Sequence, residues 1–74
     1  MELTDKQLEY LELNRSIFGS NSATEEQRME TYSIYNYLTS ENKKPNSCGR
    51  CWRNVKNRVY QQYKIQSTYE NGGV

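Results

Sequence analysis

The chain has 74 residues, 34% of them hydrophobic, with a mean hydropathy of −1.12 and a net charge of +1. That length allows one domain at most, and so thin an apolar supply barely offsets a conformational cost of about 1.5 kcal/mol per ordered residue, which makes a chain that is marginal alone or ordered by a partner. The absence of histidine excludes Ser-His-Asp and Cys-His catalysis, and no run is apolar enough to span a bilayer.

Three helices can be read in order. Thr4 is placed to cap the first, with Gln7 three residues later in capping-box spacing and Leu3 and Leu8 at the two positions of a hydrophobic staple. Leu8, Leu11, Arg15 and Phe18 follow at helical spacing, with Leu13 and Ile17 at the margin of the stripe. Gly19 is placed to end this helix in a left-handed conformation. Residues 20–23 form a polar link. Thr24 and Gln27 repeat the capping box, and Glu25 and Glu26 suit the positive end of a helix dipole. The second helix is expected to run to about Leu38, with Met29, Tyr32 and Tyr35 on an aromatic face beside Ile34 and Leu38. Residues 39–46 form a loop closed by Pro45, which biases Lys44 away from helical angles.

Asn46 or Ser47 is expected to cap the third helix. Its apolar stripe is the most regular of the three: Cys48, Cys51, Val55, Val59 and Tyr63, widened by Trp52. The periodicity fades near Gln66. The expected architecture is therefore all-α, a small three-helix bundle over residues 1–66 with a disordered, flexible C-terminal tail over residues 67–74. Seven tyrosines supply much of the apolar surface; several are expected to close the core while their hydroxyls stay wet.

Charge is divided along the chain. Residues 1–41 hold eight acids against three bases, a net of −5, whereas residues 42–69 hold seven bases and no acid. Such a division suits a chain that meets an anionic body or a neighbouring protein through one face. The cations Lys43, Lys44, Arg50, Arg53, Lys56, Arg58 and Lys64 could hold phosphate, with Trp52 or Tyr60 stacking on bases. The competing reading pairs them with carboxylates, either those of the first two helices or those of a neighbour. A pI near 7.7 is low for an autonomous nucleic-acid binder and favours the protein partner.

The most distinctive segment is residues 42–53, NKKPNSCGRCWR, which sets a Cys-x-x-Cys at the start of a helix among four cations. A helix N-terminus and nearby positive charge lower thiol pKa values, so Cys48 or Cys51 could be reactive. Three uses remain open. Structural zinc needs four Cys or His ligands, so one chain alone supplies half a site, and a shared site would take Cys48 and Cys51 from each of two chains. No stoichiometric zinc is expected in an isolated monomer. Redox use of such a pair is familiar on βαβ scaffolds, and no strand is readable here. The third use is packing, with both cysteines on a buried helix face. Two cysteines so spaced do not make a secreted disulfide framework, and the acidic, polar N-terminus does not read as a signal peptide.

Residues 35–53, YNYLTSENKKPNSCGRCWR, resemble a pattern in small uncharacterised proteins of tailed phages infecting Bacteroidetes, including crAss-like phages. There a Tyr-Asn pair, an Asn-Lys-Lys-Pro-like loop and a Ser-Cys-x-x-Cys precede a basic helix. The resemblance covers about a quarter of the chain. It implies a phage origin, in the virion or the host cytoplasm, and it carries no catalytic residue.

Together these readings predict a non-enzymatic phage accessory protein without a cofactor, acting by protein–protein contact as a virion-associated subunit, auxiliary to or decorating the capsid. The contact residues expected are Lys43, Lys44, Arg50, Trp52, Arg53, Lys56 and Arg58. The partner expected is a larger protein assembly, with further copies of the chain as an alternative and no membrane. A small nucleic-acid-binding or zinc-bridged regulator, or an anti-defence inhibitor, is the alternative function.

Overall fold

Two capping boxes start the first two helices. A computed structural model describes residues 2–20, 22–46 and 48–72. The Thr4 hydroxyl accepts the Gln7 N–H at 3.2 Å, and the Gln7 side-chain oxygen accepts the Thr4 N–H at 2.9 Å. Thr24 and Gln27 do the same at 3.0 and 2.9 Å. Each box satisfies two N–H groups that a helix start leaves without partners. The three α-helices are α1 (Asp5–Leu13), α2 (Glu25–Thr39) and α3 (Gly49–Gly72), with a 3₁₀ turn (Arg15–Phe18) between α1 and α2. No strand occurs among the described residues. At about 1.5 Å per residue the 24 residues of α3 run most of the molecule's 41 Å length. The helical backbone is drawn out past Gln66, where the apolar periodicity ends, to Gly72. Gly73 and Val74, the end of the expected tail, lie outside the described residues.

The core forms chiefly where α2 packs on α3, with α1 and the 3₁₀ turn laid against α3. Tyr32, Ile34, Tyr35 and Leu38 from α2 meet Trp52, Val55, Val59 and Tyr63 from α3. Leu3 is buried and Leu8 packs against the core, as a hydrophobic staple requires. Thr31 is fully buried; its hydroxyl donates to the Gln27 carbonyl one turn back at 2.7 Å, so a polar atom sits in the core without loss. Met29, expected on the aromatic face, is 57% exposed.

α1 is shorter than the spacing of Leu8, Leu11, Arg15 and Phe18 implies. Asn14 ends it. Both its backbone N–H and its side-chain amide donate to the Tyr10 carbonyl, at 3.0 and 2.8 Å. Its side-chain oxygen accepts from Gln27, tying the end of α1 to the start of α2. The 3₁₀ turn that follows is more tightly wound, so the register shifts. Arg15 moves out to solvent, and Ile17 is 1% exposed, not marginal. Gly19 is also not left-handed; its φ is −100°. The left-handed residue is Ser40, at φ 59°, which turns the chain out of α2.

A second link, not readable from periodicity, closes the ends of the chain together. The Gln66 side-chain amide accepts from the Leu3 N–H at 2.6 Å and donates to the Leu3 carbonyl at 3.1 Å, satisfying an extended segment as a strand neighbour would.

Candidate functional site

The loop between α2 and α3 is built before its cations are placed. Asn36, in the last turns of α2, brackets Lys43: its amide donates to the Lys43 carbonyl at 2.8 Å and its oxygen accepts the Lys43 N–H at 3.0 Å. The Tyr35 hydroxyl donates to Glu41 at 2.9 Å. The Lys43 ammonium then lies 5.5 Å over the Tyr35 ring and 3.9 Å from Glu41. The Asn46 side chain accepts the Cys48 N–H at 2.9 Å, an Asx turn that delivers the chain to α3.

Cys48 stands at the cap of α3. Its carbonyl accepts the Trp52 N–H at 3.1 Å and its sulfur accepts the Cys51 N–H at 3.2 Å, the bond that a Thr oxygen makes at the other two helix starts. Of the two expected caps, Asn46 lies ahead of the helix start and Ser47 lies outside the described residues. Cys48 is exposed and Cys51 half-buried, so the pair is not the buried packing element that the stripe suggested. The two thiols also differ chemically. Hydrogen bonds from the Cys51 side chain, and then from the Cys51 and Arg50 N–H groups, hold the Cys48 thiol below its ordinary range. The bond to Cys48, then burial and the Cys48 charge, push Cys51 up, against the pull of Lys43 and Arg50.

Behind the pair lies Trp52, only 4% exposed. Tyr32 stacks on it with ring centroids 6.1 Å apart, and Arg28 and Lys56 approach its faces at 5.8 and 5.7 Å. The Tyr32 hydroxyl is buried and has no hydrogen-bond partner among the described residues; the same holds for Trp52 Nε1 and Arg28 Nε. Burial raises the Tyr32 pKa first, and the charges of Cys51 and Cys48 raise it further, against the pull of Lys43 and Arg28.

Two of the expected contact residues are thereby corrected. Trp52 is a core ring with no free face for a base, and Lys56 is 5% exposed. Its stem is covered and its ammonium donates to the Ser20 carbonyl at 2.8 Å, with burial, then Arg53, lowering its pKa. Lys44, Arg50 and Arg53 are exposed and Arg58 is half-buried. Among the described residues no ion pair joins α3 to the acids of α1 and α2. The ion pairs among the described residues are Arg15–Glu12 and Lys43–Glu41, both between near neighbours in sequence. The reason is placement: α3's apolar stripe faces α1 and α2, so most of its cations face away from them. The described residues hold no group of three or more Cys, His, Asp or Glu suited to a metal. Cys48 and Cys51 therefore offer at most half of a zinc shell in one chain.

At the other end of α3, Phe18 and Tyr60 lie 4.6 Å apart between ring centroids and Lys64 covers Tyr60 at 4.8 Å. These rings, with Arg15, Gly19 and Tyr63, line an open depression of about 460 Å³. A similar one of about 470 Å³ lies between Glu25, Arg28, Met29 and Pro45. No helix among the described residues is long and apolar enough to cross a membrane.

In comparison with known proteins, the chain matches no family model, no curated protein and no solved structure.

Proposed function

We propose that this chain is a non-enzymatic docking subunit that meets an acidic protein surface through the exposed cations at the start of α3. One observation carries this reading. Lys44, Arg50 and Arg53 stand in solvent without an ion pair among the described residues, while the carboxylates of α1 and α2 lie elsewhere and do not neutralise them. Exposed cations with no partner of their own steer a protein toward a complementary surface and fix its orientation there. Leu13, Met29 and Ile65, exposed at 78%, 57% and 63%, add apolar area that contact with a larger body would cover. The setting, an auxiliary or decorating subunit of a phage particle, rests on the resemblance of residues 35–53. Nucleic acid is disfavoured as the partner because the tryptophan that would stack on bases is buried, and Tyr60 is engaged with Phe18 and Lys64.

Zero-length coupling of amines to carboxylates, in cells that produce the chain, tests the proposal. Lys44 is expected to join Asp or Glu of one recurring protein, and the bond should disappear when Arg50 and Arg53 are both replaced by Glu in a chain that still folds. Couplings confined to the chain itself, or unchanged by the charge reversal, would contradict it.

A further inference from the structure

Cys48 and Cys51 are too unequal to be two copies of one packing residue. Cys48 is exposed, precedes the first residue of α3 and uses its sulfur as the helix cap. A neutral sulfur is a weak acceptor and a thiolate a strong one, so the helix start favours the ionised form in which Cys48 can attack. Cys51 is half-buried one turn on, and its backbone N–H donates to the Cys48 sulfur, so Cys48 is the exposed member and Cys51 the more covered one. An independent feature marks the same place. The Tyr32 ring, stacked on Trp52 next to Cys51 in the sequence, is 2% exposed, and its hydroxyl lacks a partner among the described residues. A buried donor without an acceptor costs stability, and it persists where something else supplies the acceptor.

We infer that Cys48 and Cys51 form a reversible dithiol–disulfide couple that exchanges with anionic disulfides, Cys48 attacking and Cys51 resolving. This goes beyond the docking reading and does not depend on it.

In the first step the Cys48 thiolate attacks one sulfur of a disulfide R–S–S–R. A Cys48–S–R bond forms, the S–S bond breaks, and its electron pair leaves on RS⁻. In the second step Cys51 gives up its proton and attacks the Cys48 sulfur. The Cys48–Cys51 bond forms and a second RS⁻ departs. The protein dithiol loses two electrons and two protons, and the disulfide gains them as two RSH. Cβ atoms one helical turn apart lie about 5–6 Å from each other, against about 3.5–4.5 Å in a disulfide, so closure requires a contraction of about 1–2 Å. Cys48 can supply it because it stands ahead of the helix. The charges of Lys43 and Arg50 act on Cys51, and Lys44 is exposed in the loop before α3, so a disulfide carrying carboxylates is drawn in and one carrying ammonium groups is repelled.

The test uses the full reduced chain, oxidised glutathione as the anionic disulfide, cystamine as the cationic one, and intact mass as the readout. The wild type should lose two hydrogens and keep no glutathionyl group. Cys51→Ser should retain one glutathionyl group, on Cys48. Cys48→Ser should react at least about tenfold more slowly. Its melting temperature should not fall, since Ser is among the best cap residues, and that separates lost chemistry from lost fold. Glutathione disulfide should react at least about threefold faster than cystamine at low salt, with the gap closing at high salt. A wild type that keeps the glutathionyl group, two cysteines of equal reactivity, or added zinc binding at one ion per two chains and blocking oxidation would each overturn the inference, the last in favour of a shared thiolate site.

Discussion

Val59→Asp should leave the chain unfolded at room temperature. Val59 is 0% exposed and sits in the middle of α3's stripe, one turn from Val55 at 1%. A carboxylate there would be enclosed by the apolar core cluster, and burying it without a partner costs several kcal/mol. Native domains hold roughly 0.05–0.15 kcal/mol per residue, so 74 residues give about 4–11 kcal/mol in all. The penalty is comparable to the whole. Circular dichroism should show the loss of most helix, and an unchanged thermal melt would mean that the stripe of Val55, Val59 and Tyr63 is not the core.

Leu11→Ala should cost about 2–5 kcal/mol, the usual range for removing a buried leucine side chain. Its effect should also be uneven. Leu11 is the only fully buried residue of α1; Leu8 and Tyr10 pack against the core only in part. The other ties are the Gln66 amide bracket on Leu3, the Asn14–Gln27 bond and the bond from the Tyr63 hydroxyl to Glu12. Hydrogen exchange should therefore show the amides of α1 losing protection before those of α2 and α3, whose contact is the larger. Equal loss along all three helices would contradict this ordering.

What could be read in the sequence was what depends on neighbours along the chain. The Thr4–Gln7 and Thr24–Gln27 boxes and the Leu3–Leu8 staple are contacts over three to five residues, and residue type and spacing specify them. The stripe of Val55, Val59 and Tyr63 is also local, because helical period alone puts these residues on one face. The misreadings came from contacts between distant segments. Ile17 entered the core because Asn14 stopped α1 and a tighter turn followed. Lys56 counted as a surface cation until the Ser20 carbonyl, 36 residues away, gave its ammonium a partner. The Gln66–Leu3 bracket spans 63 residues and leaves no periodic trace. At the candidate site one signal was present and unused. Cys48 and Cys51 stand three apart, the spacing of the two capping boxes, so the sulfur's role as cap could have been read. The Tyr32 hydroxyl behind them could not, since it belongs to α2 and arrives there only by packing.

The central claim is that the cations at the start of α3 are placed for a protein surface and not for nucleic acid. Titrating labelled single- and double-stranded DNA at two salt concentrations tests it most directly. Duplex binding should be no tighter than the non-specific range of about 10⁻⁴ to 10⁻⁶ M at physiological salt. Sub-micromolar affinity that weakens steeply with salt, as counterion release requires, and that is lost when Arg50 and Arg53 become Ala while the fold survives, would contradict it.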